Sequence, residues 1–261
     1  MALLAADDGF ICGIPPEVWS FIAAHCKDCQ TQAQLRATNR GLRKMLDMPG
    51  IWRITRTEVV GIFIQLSGHG LLEPIQWLSA AFAVTPSEAR IYNNCALHDA
   101  CEDGHLKVVQ WLVQTFALMA EDARAKDNWA LHMACKNAHL EVAQWLAQTF
   151  ALTSEDARAD DNYALRWVCT RGHLQVAQWL AHKFELTAED ARADYNHALR
   201  GACANGHLQV AQWLAQTFAL TAEDARAIDN GALRGACTNR HLKVAQWLEQ
   251  AFTLTEAELK D

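Results

Sequence analysis

The 34 residues from Asn196 to Asp229 recur almost unchanged, and without a gap, on both sides of themselves. Steps of 34 carry Asn94 to Asn128, Asn162, Asn196 and Asn230, Cys101 to Cys135, Cys169, Cys203 and Cys237, and Trp111 to Trp145, Trp179, Trp213 and Trp247. A unit of this size is one supersecondary element, too small to bury its apolar face alone, so it must stack on its neighbours to form a continuous core. The chain is a repeat array, and the usual work of an array is binding.

Within one unit the pattern predicts two helices and part of a third. Asn196 or His197 is placed to cap a short helix whose Ala198, Leu199, Ala202 and Cys203 form a narrow apolar stripe. Gly206 stops that helix in the left-handed C′ position, which only glycine adopts without strain. Ala138 and Arg240 at the equivalent places therefore cost up to about 1 kcal/mol each if they keep the conformation. A second helix presents Val210, Trp213, Leu214 and Phe218 on one ridge. Truncation of Trp213 from such a core would cost roughly 3 to 5 kcal/mol. Thr221-Ala-Glu-Asp224 resembles a capping box with Asp at N3 and opens a short third helix.

The run Ala198-Leu-Arg-Gly-Ala-Cys-Ala-Asn-Gly-His-Leu-Gln-Val-Ala-Gln-Trp-Leu214 resembles the ankyrin repeat, whose helix pair reads roughly T-P-L-H-x-A-A-x-x-G-H-x-x-V-V-x-x-L-L. The resemblance extends from about residue 60 to the end. Two departures stand out. The Thr-Pro pair is absent, and the first His survives only as His98 and His132, replaced by Arg166, Arg200 and Arg234. The stretch that would form a β-hairpin finger reads instead as the short Thr-x-Glu-Asp-Ala-Arg helix. The expectation is therefore an all-α, ankyrin-type helical solenoid of about six repeats (60–93, 94–127, 128–161, 162–195, 196–229, 230–261) with little or no strand.

Composition narrows the function. The chain has 261 residues, enough for the array and one small extra domain. No apolar run approaches the roughly 18 residues that a membrane span needs. Met1-Ala-Leu-Leu-Ala-Ala-Asp-Asp8 lacks a basic n-region, so a signal peptide is not expected and the cytoplasm is, with the nucleus left open. A net charge of -7 and a pI near 5.9 argue against a general phosphate-backbone binder, so nucleic acid is not an expected partner.

Nine cysteines would suit a disulfide framework were it not for the register. Five share one repeat position, and stacked helices lie about 8 to 10 Å apart, beyond the roughly 7 Å Cα separation that a bridge spans. They read as small core residues. Cys26-Lys-Asp-Cys29, with Cys12 and His25, is the one metal-like cluster, and a single C-x-x-C without a second pair is a weak signal. No metal or cofactor is expected.

The N-terminal segment carries a second pattern. Ile14-Pro-Pro-Glu-Val-Trp-Ser-Phe-Ile22 opens with prolines tolerated at a helix start and sets Val18, Phe21, Ile22 and His25 on one face. Gln34 to Leu46 reads as a second helix, followed by Asp47-Met-Pro-Gly-Ile-Trp52. In order, Ile14-Pro15-Pro16-Glu17-Val18-Trp19, Leu35-Arg36-Ala37-Thr38-Asn39-Arg40-Gly41-Leu42-Arg43 and Asp47 to Trp52 resemble the F-box family. That resemblance implies docking on a Skp adaptor through Ile14, Pro15, Val18, Ile22 and Leu35, within a Skp/cullin/F-box ubiquitin ligase. F-box and ankyrin combinations are frequent in large DNA viruses and their hosts, so a viral source would make the compartment the host cytoplasm. The segment Lys27 to Gln34 lacks the family's Leu-rich second-helix start. The bottom-up alternative is a helical cap sealing the array, and the two roles can coexist. The organisation read here is a tail (1–13), an F-box-like domain (14–53), a linker (54–59) and the array (60–261).

Comparison of the copies separates scaffold from variable positions. The residue after each Asn changes completely (Cys95, Trp129, Tyr163, His197, Gly231), as does the second residue past each Ala-Leu (Asp99, Met133, Trp167, Gly201, Gly235). By the ankyrin resemblance these lie on or near the concave face of the first helices. Trp129, Met133, Tyr163 and Trp167 then make a cluster of large side chains, the composition of a binding hot spot, or else they fill gaps between repeats. Arg166 and Arg200, with Arg234, form a row that reads acidic groups on a target or, the preferred reading, pairs with the Glu-Asp of neighbouring short helices. His197 joins the cluster. The repeated His105, His139, His173, His207 and His241 read as structural hydrogen-bond donors, because identical placement in every unit is what packing demands. No phosphate-cradling loop, nucleophile elbow or His-Glu-x-x-His is present, so no enzyme is expected. The resulting expectation is a substrate-recruiting ubiquitin-ligase adaptor with an unidentified protein target; the alternative is an interaction scaffold with no ligase role.

Overall fold

The computed structural model describes residues 56–254, all of them helical or connecting, with no strand among them. The F-box-like segment, with Ile14, Pro15, Val18, Ile22 and Leu35, and the cluster of Cys12, His25, Cys26 and Cys29 lie outside the described residues. The chain divides at Leu118/Met119 into two compact units.

In the first unit α1 (Arg56–Gly68) packs on α4 (Ile91–Glu102), and each carries its second helix, α2 (Leu72–Phe82) and α5 (Leu106–Phe116), with the short α3 (Pro86–Ala89) between. Helix α1 begins inside the stretch read as a linker. The reason is an anchor there: the Arg56 guanidinium pairs with Glu88, which also closes the capping box of α3 with Thr85. Phe63 and Leu66 take the places held by Leu and Ala in later copies and are fully buried, with the Phe63 ring edge-on to Phe116 at 5.5 Å. Pro74 sits in the first turn of α2, where its missing N–H leaves no bond unmade.

The second unit repeats this plan with α6 (Ala120–Ala123), α7 (Ala125–Lys136), α8 (Leu140–Thr149), α9 (Ser154–Thr170), α10 (Leu174–Lys183), α11 (Ala188–Ala204), α12 (Leu208–Thr217), α13 (Ala222–Thr238) and α14 (Leu242–Phe252). Helices α7, α9, α11 and α13 pack in sequence, each backed by its own second helix. The Ala-Leu-x-x-Ala-Cys stripe fills the core: Ala198, Leu199, Ala202 and Cys203 are all buried. Burial pushes the Cys203 thiol up to about 12 and raises Cys101, Cys135 and Cys169 likewise, so these four cysteines are packing atoms rather than reactive thiols. Val210, Leu214 and Phe218 are buried as expected, but Trp213 is only half-buried, its ring edge-on to Phe218 at 5.7 Å. Trp213 is about 100° around the helix from Leu214, so with the leucine pointing into the core the indole lies at its rim.

The first helices do not start as the sequence suggests. In α9 the chain runs through a short helix, then Asp160, Asp161 and Asn162 at φ 52°, 52° and 60°, and only then the first helix proper. The same three-residue left-handed turn recurs at Tyr92–Asn94, Lys126–Asn128, Asp194–Asn196 and Ile228–Asn230. The repeated Asn is therefore not a side-chain cap. The Oδ1 atoms of Asn128, Asn162 and Asn196 are buried with no hydrogen-bond partner. Its role is conformational, since Asn and Asp tolerate the left-handed region at least cost among residues with a Cβ, and eleven of the fifteen turn positions are Asn or Asp. Gly206 takes the left-handed C′ position at φ 78°, and Ala138 and Arg240 keep it at φ 65° and 62°. A Cβ on Gly206 would lie 2.6 Å from His241 Nδ1, so the glycine also makes room for the next repeat's histidine.

The short helices are tied in register by a ladder of ion pairs. Asp156, Asp190 and Asp224 accept from the backbone N–H of Thr153, Thr187 and Thr221 at 2.8, 2.7 and 2.8 Å, completing the capping boxes. Each also accepts two bonds from an arginine of the preceding unit: Arg158 Nε and Nη2 reach Asp190 at 2.7 and 3.0 Å, and Arg124–Asp156 and Arg192–Asp224 repeat the fork. Burial alone would raise the Asp190 pKa, but the Arg158 and Thr187 hydrogen bonds outweigh it and hold the carboxyl below its usual range.

Candidate interaction face

The first helices of α7, α9 and α11 bring Trp129, Tyr163, Trp167 and His197 into one continuous row. Ring centroids are 5.8 Å apart at each step, Trp129 to Tyr163, Tyr163 to Trp167 and Trp167 to His197, with interplanar angles of 46°, 38° and 51°. All four side chains are half-buried, so the row keeps a solvent-facing side. Below it, His132 stacks on Tyr163 at 5.2 Å and 21°. Lys136 places its Nζ 5.1 Å from the Trp167 ring centre and donates to the Tyr163 hydroxyl at 3.5 Å.

Met133 does not belong to the exposed row. It is 1% exposed and lies in the core, so the gap-filling reading holds for it. At the equivalent positions of the later copies the pairing between adjacent repeats sets the side chain. Residues 31 apart face each other across adjacent first helices: a Cβ on Gly201 would sit 2.1 Å from Thr170 Oγ1, and one on Gly235 2.8 Å from the Ala204 Cβ. Where the opposing residue is Thr or Ala, glycine is required; where it is Lys136, a tryptophan fits with the ammonium against its ring. The same offset puts His132 against Tyr163 and the Arg200 side chain beside Gly231. Variable positions thus vary in concert with the residue they pack on, a signal present in the sequence at offset 31 rather than 34.

The arginine row behaves differently from its expected pairing with the short helices. Those carboxylates are taken by Arg124, Arg158 and Arg192. Arg166 instead donates to the Asp160 carbonyl at 2.9 Å and to the Asp194 carboxylate at 2.6 Å, while Arg200 donates to the carbonyls of Tyr195 and Asp194 at 2.8 and 3.1 Å. Arg234 does the same to Asp229. The left-handed turn points its carbonyls back at the helix that follows it, where Arg200 satisfies two of them and Arg166 and Arg234 one each. Arg166 and Arg200 are therefore clamps on the turns at the edge of the face.

Electrostatics keep the imidazoles neutral. Burial, reinforced by the Arg166 charge, lowers the His132 pKa to about 4. Burial and the same arginine also lower His197. Two of the repeated edge histidines make the expected structural bonds: His173 donates to the Lys136 carbonyl and His207 to the Thr170 carbonyl, so each ties the end of the preceding first helix.

Among the described residues no helix is long and apolar enough to cross a membrane. A comparison with curated proteins found no match. A comparison with family models matched residues 64–161 and 97–190 to ankyrin repeats in three copies. With the helix pairs, the Gly-His junctions and the unit-to-unit stacking described above, this match shows that residues 64–190 of the chain are built of ankyrin repeats.

Proposed function

We propose that the chain is a protein-interaction scaffold whose target is held by the first-helix face of the second unit, through Trp129, Tyr163, Trp167 and His197. The observation that carries this is the aromatic row itself. In units otherwise almost identical, large rings are confined to adjacent copies and stay half-exposed, while the equivalent positions further along are Gly201, Gly231 and Gly235. Aromatic side chains that retain a solvent-facing side and are flanked by polar groups are the usual anchors of protein interfaces. The test is site-directed photo-crosslinking in cells with a benzophenone amino acid at Tyr163 and, as a control, at Gln178 on the exposed side of α10. Partners that crosslink from position 163 and not from 178 support the face. Crosslinks arising only from 178 overturn it.

A finer reading concerns what happens to the target. The ordered likeness of Ile14 to Trp52 to an F-box supports recruitment of that target to a Skp/cullin ubiquitin ligase, with Ile14, Pro15, Val18, Ile22 and Leu35 on the adaptor. Titration of purified Skp adaptor against the full chain and against the Ile14→Asp/Val18→Asp variant, with circular dichroism confirming that the variant is folded, decides it. Binding that disappears in the folded variant supports the ligase role. No binding by the intact chain leaves the scaffold reading alone.

A further inference from the structure

The aromatic row already holds one cation. Lys136 lies with its ammonium over Trp167 and against the Tyr163 hydroxyl, and the equivalent residues in the two following repeats, Thr170 and Ala204, cannot repeat the arrangement. An ammonium is attracted to the negative face of an indole and is better held as water is excluded. The other end of the row, Trp129 and Tyr163, has the same ring spacing of 5.8 Å. No cation is placed over the Trp129 ring among the described residues. Carboxylates flank that end along the chain instead. Asp127 lies two residues before Trp129, and Asp160 and Asp161 come just before Tyr163, in the left-handed turns that lead into the two helices. All three are exposed and make no ion pair among the described residues. The charges facing this end from the other elements are already committed: Arg166 to Asp194 and the Asp160 carbonyl, Lys136 to Trp167. Lys126, exposed in the same left-handed turn as Asp127, adds one positive charge against the three carboxylates.

We propose that the Trp129–Tyr163 end of the face receives a lysine or arginine side chain from a basic, extended segment of the target protein, with Asp127, Asp160 and Asp161 facing the flanking positive charges. This rests on the reading of the first-helix face as the target site. The bound side chain repeats on Trp129 what Lys136 does on Trp167. The flanking carboxylates supply attraction that weakens as salt screens it. The overall charge of -7 favours approach by the same class of partner.

The experiment uses the full chain and three fluorescein-labelled twelve-residue peptides of Gly-Ser background carrying four lysines, four glutamates or four leucines. Anisotropy at low and at physiological salt gives the affinity, and indole N–H shifts in NMR spectra locate the contact. The lysine peptide is expected to bind best, to shift the Trp129 indole, and to weaken about tenfold or more in the Asp127→Asn/Asp160→Asn/Asp161→Asn variant. Those substitutions suit the left-handed turn and leave the fold intact, and Trp129→Leu, which keeps bulk without a π face, is a second variant expected to weaken binding. Equal binding of the leucine or glutamate peptide with the same indole shift overturns the cation proposal while leaving the target face standing. Lysine-peptide binding unchanged by every variant, with no Trp129 shift, places the peptide elsewhere and overturns the cation proposal. Absence of binding by all three peptides overturns the cation proposal, and the crosslinks at Tyr163 then decide the face separately.

Discussion

Burial fixes His132 in its neutral form, and this makes its environment measurable. The imidazole is stacked beneath Tyr163, and its Nε2 has no hydrogen-bond partner. Its pKa falls from the ordinary 6.5 to about 4. The unfolded chain therefore takes up a proton at a pH where the folded chain does not. Stability is fully present above about pH 6.5 and is lost as pH falls toward 4, on the order of 2 kcal/mol from this group by pH 5. Urea titrations at pH 7.5 and pH 5 should show that loss in the native chain and a smaller one in His132→Leu; an identical pH dependence in both would remove His132 from the account. A second residue is strained. Ile228 is β-branched yet sits at φ 51° in the first position of its turn, where two other copies place Asp160 and Asp194. Ile228→Asn should raise stability by about 1 kcal/mol, read as an increased Tm, and it exposes no new apolar surface because Ile228 is already 49% exposed.

At the scale of elements, one carboxylate does two jobs in each unit. Asp190 completes the capping box of α11 and takes the fork of Arg158 from α9, so it fixes where the short helix starts and how it docks on its neighbour. Loss of a cap costs about 1 kcal/mol and loss of a charge-assisted bond about 1.5 to 3. With the Arg158 side chain 35% exposed and able to recover water, Asp190→Ala should cost about 2 to 3 kcal/mol in denaturant unfolding. A cost below about 1 kcal/mol would mean that the fork contributes little beyond the cap. The Thr-x-Glu-Asp signature made the cap legible from sequence. The arginine partner was not, because Arg166 and Arg171 fit the charge as well as Arg158 does, and only the stacking of α9 on α11 selects the one that ends the short helix.

At the scale of the whole molecule, the ladder couples each unit to the next and no further. Arg124 and Asp156 share one fork, so Arg124→Ala and Asp156→Ala should be non-additive, the double variant losing about 1 to 2 kcal/mol less than the sum of the singles. Asp156→Ala and Asp224→Ala lie two units apart and share no partner, so their costs should add to within about 0.5 kcal/mol. Coupling between the distant pair as large as within the fork would show that the second unit does not behave as a chain of nearest neighbours. The sequence by itself determined the period, the helix pairs, the buried Ala-Leu-Ala-Cys stripe, the left-handed Gly206 position and the capping boxes. Each of these depends on residues within one turn or one helix, or on a strict 34-residue repetition. Tertiary structure decided what depends on contacts between units. It set the Asn as a left-handed turn residue rather than a cap, because the turn must redirect the chain onto the preceding helix. It left Trp213 half-buried and Met133 in the core, while Tyr163 and Trp167 keep a solvent-facing side because the residues they pack on, His132 and Lys136 31 positions earlier, belong to the neighbouring helix.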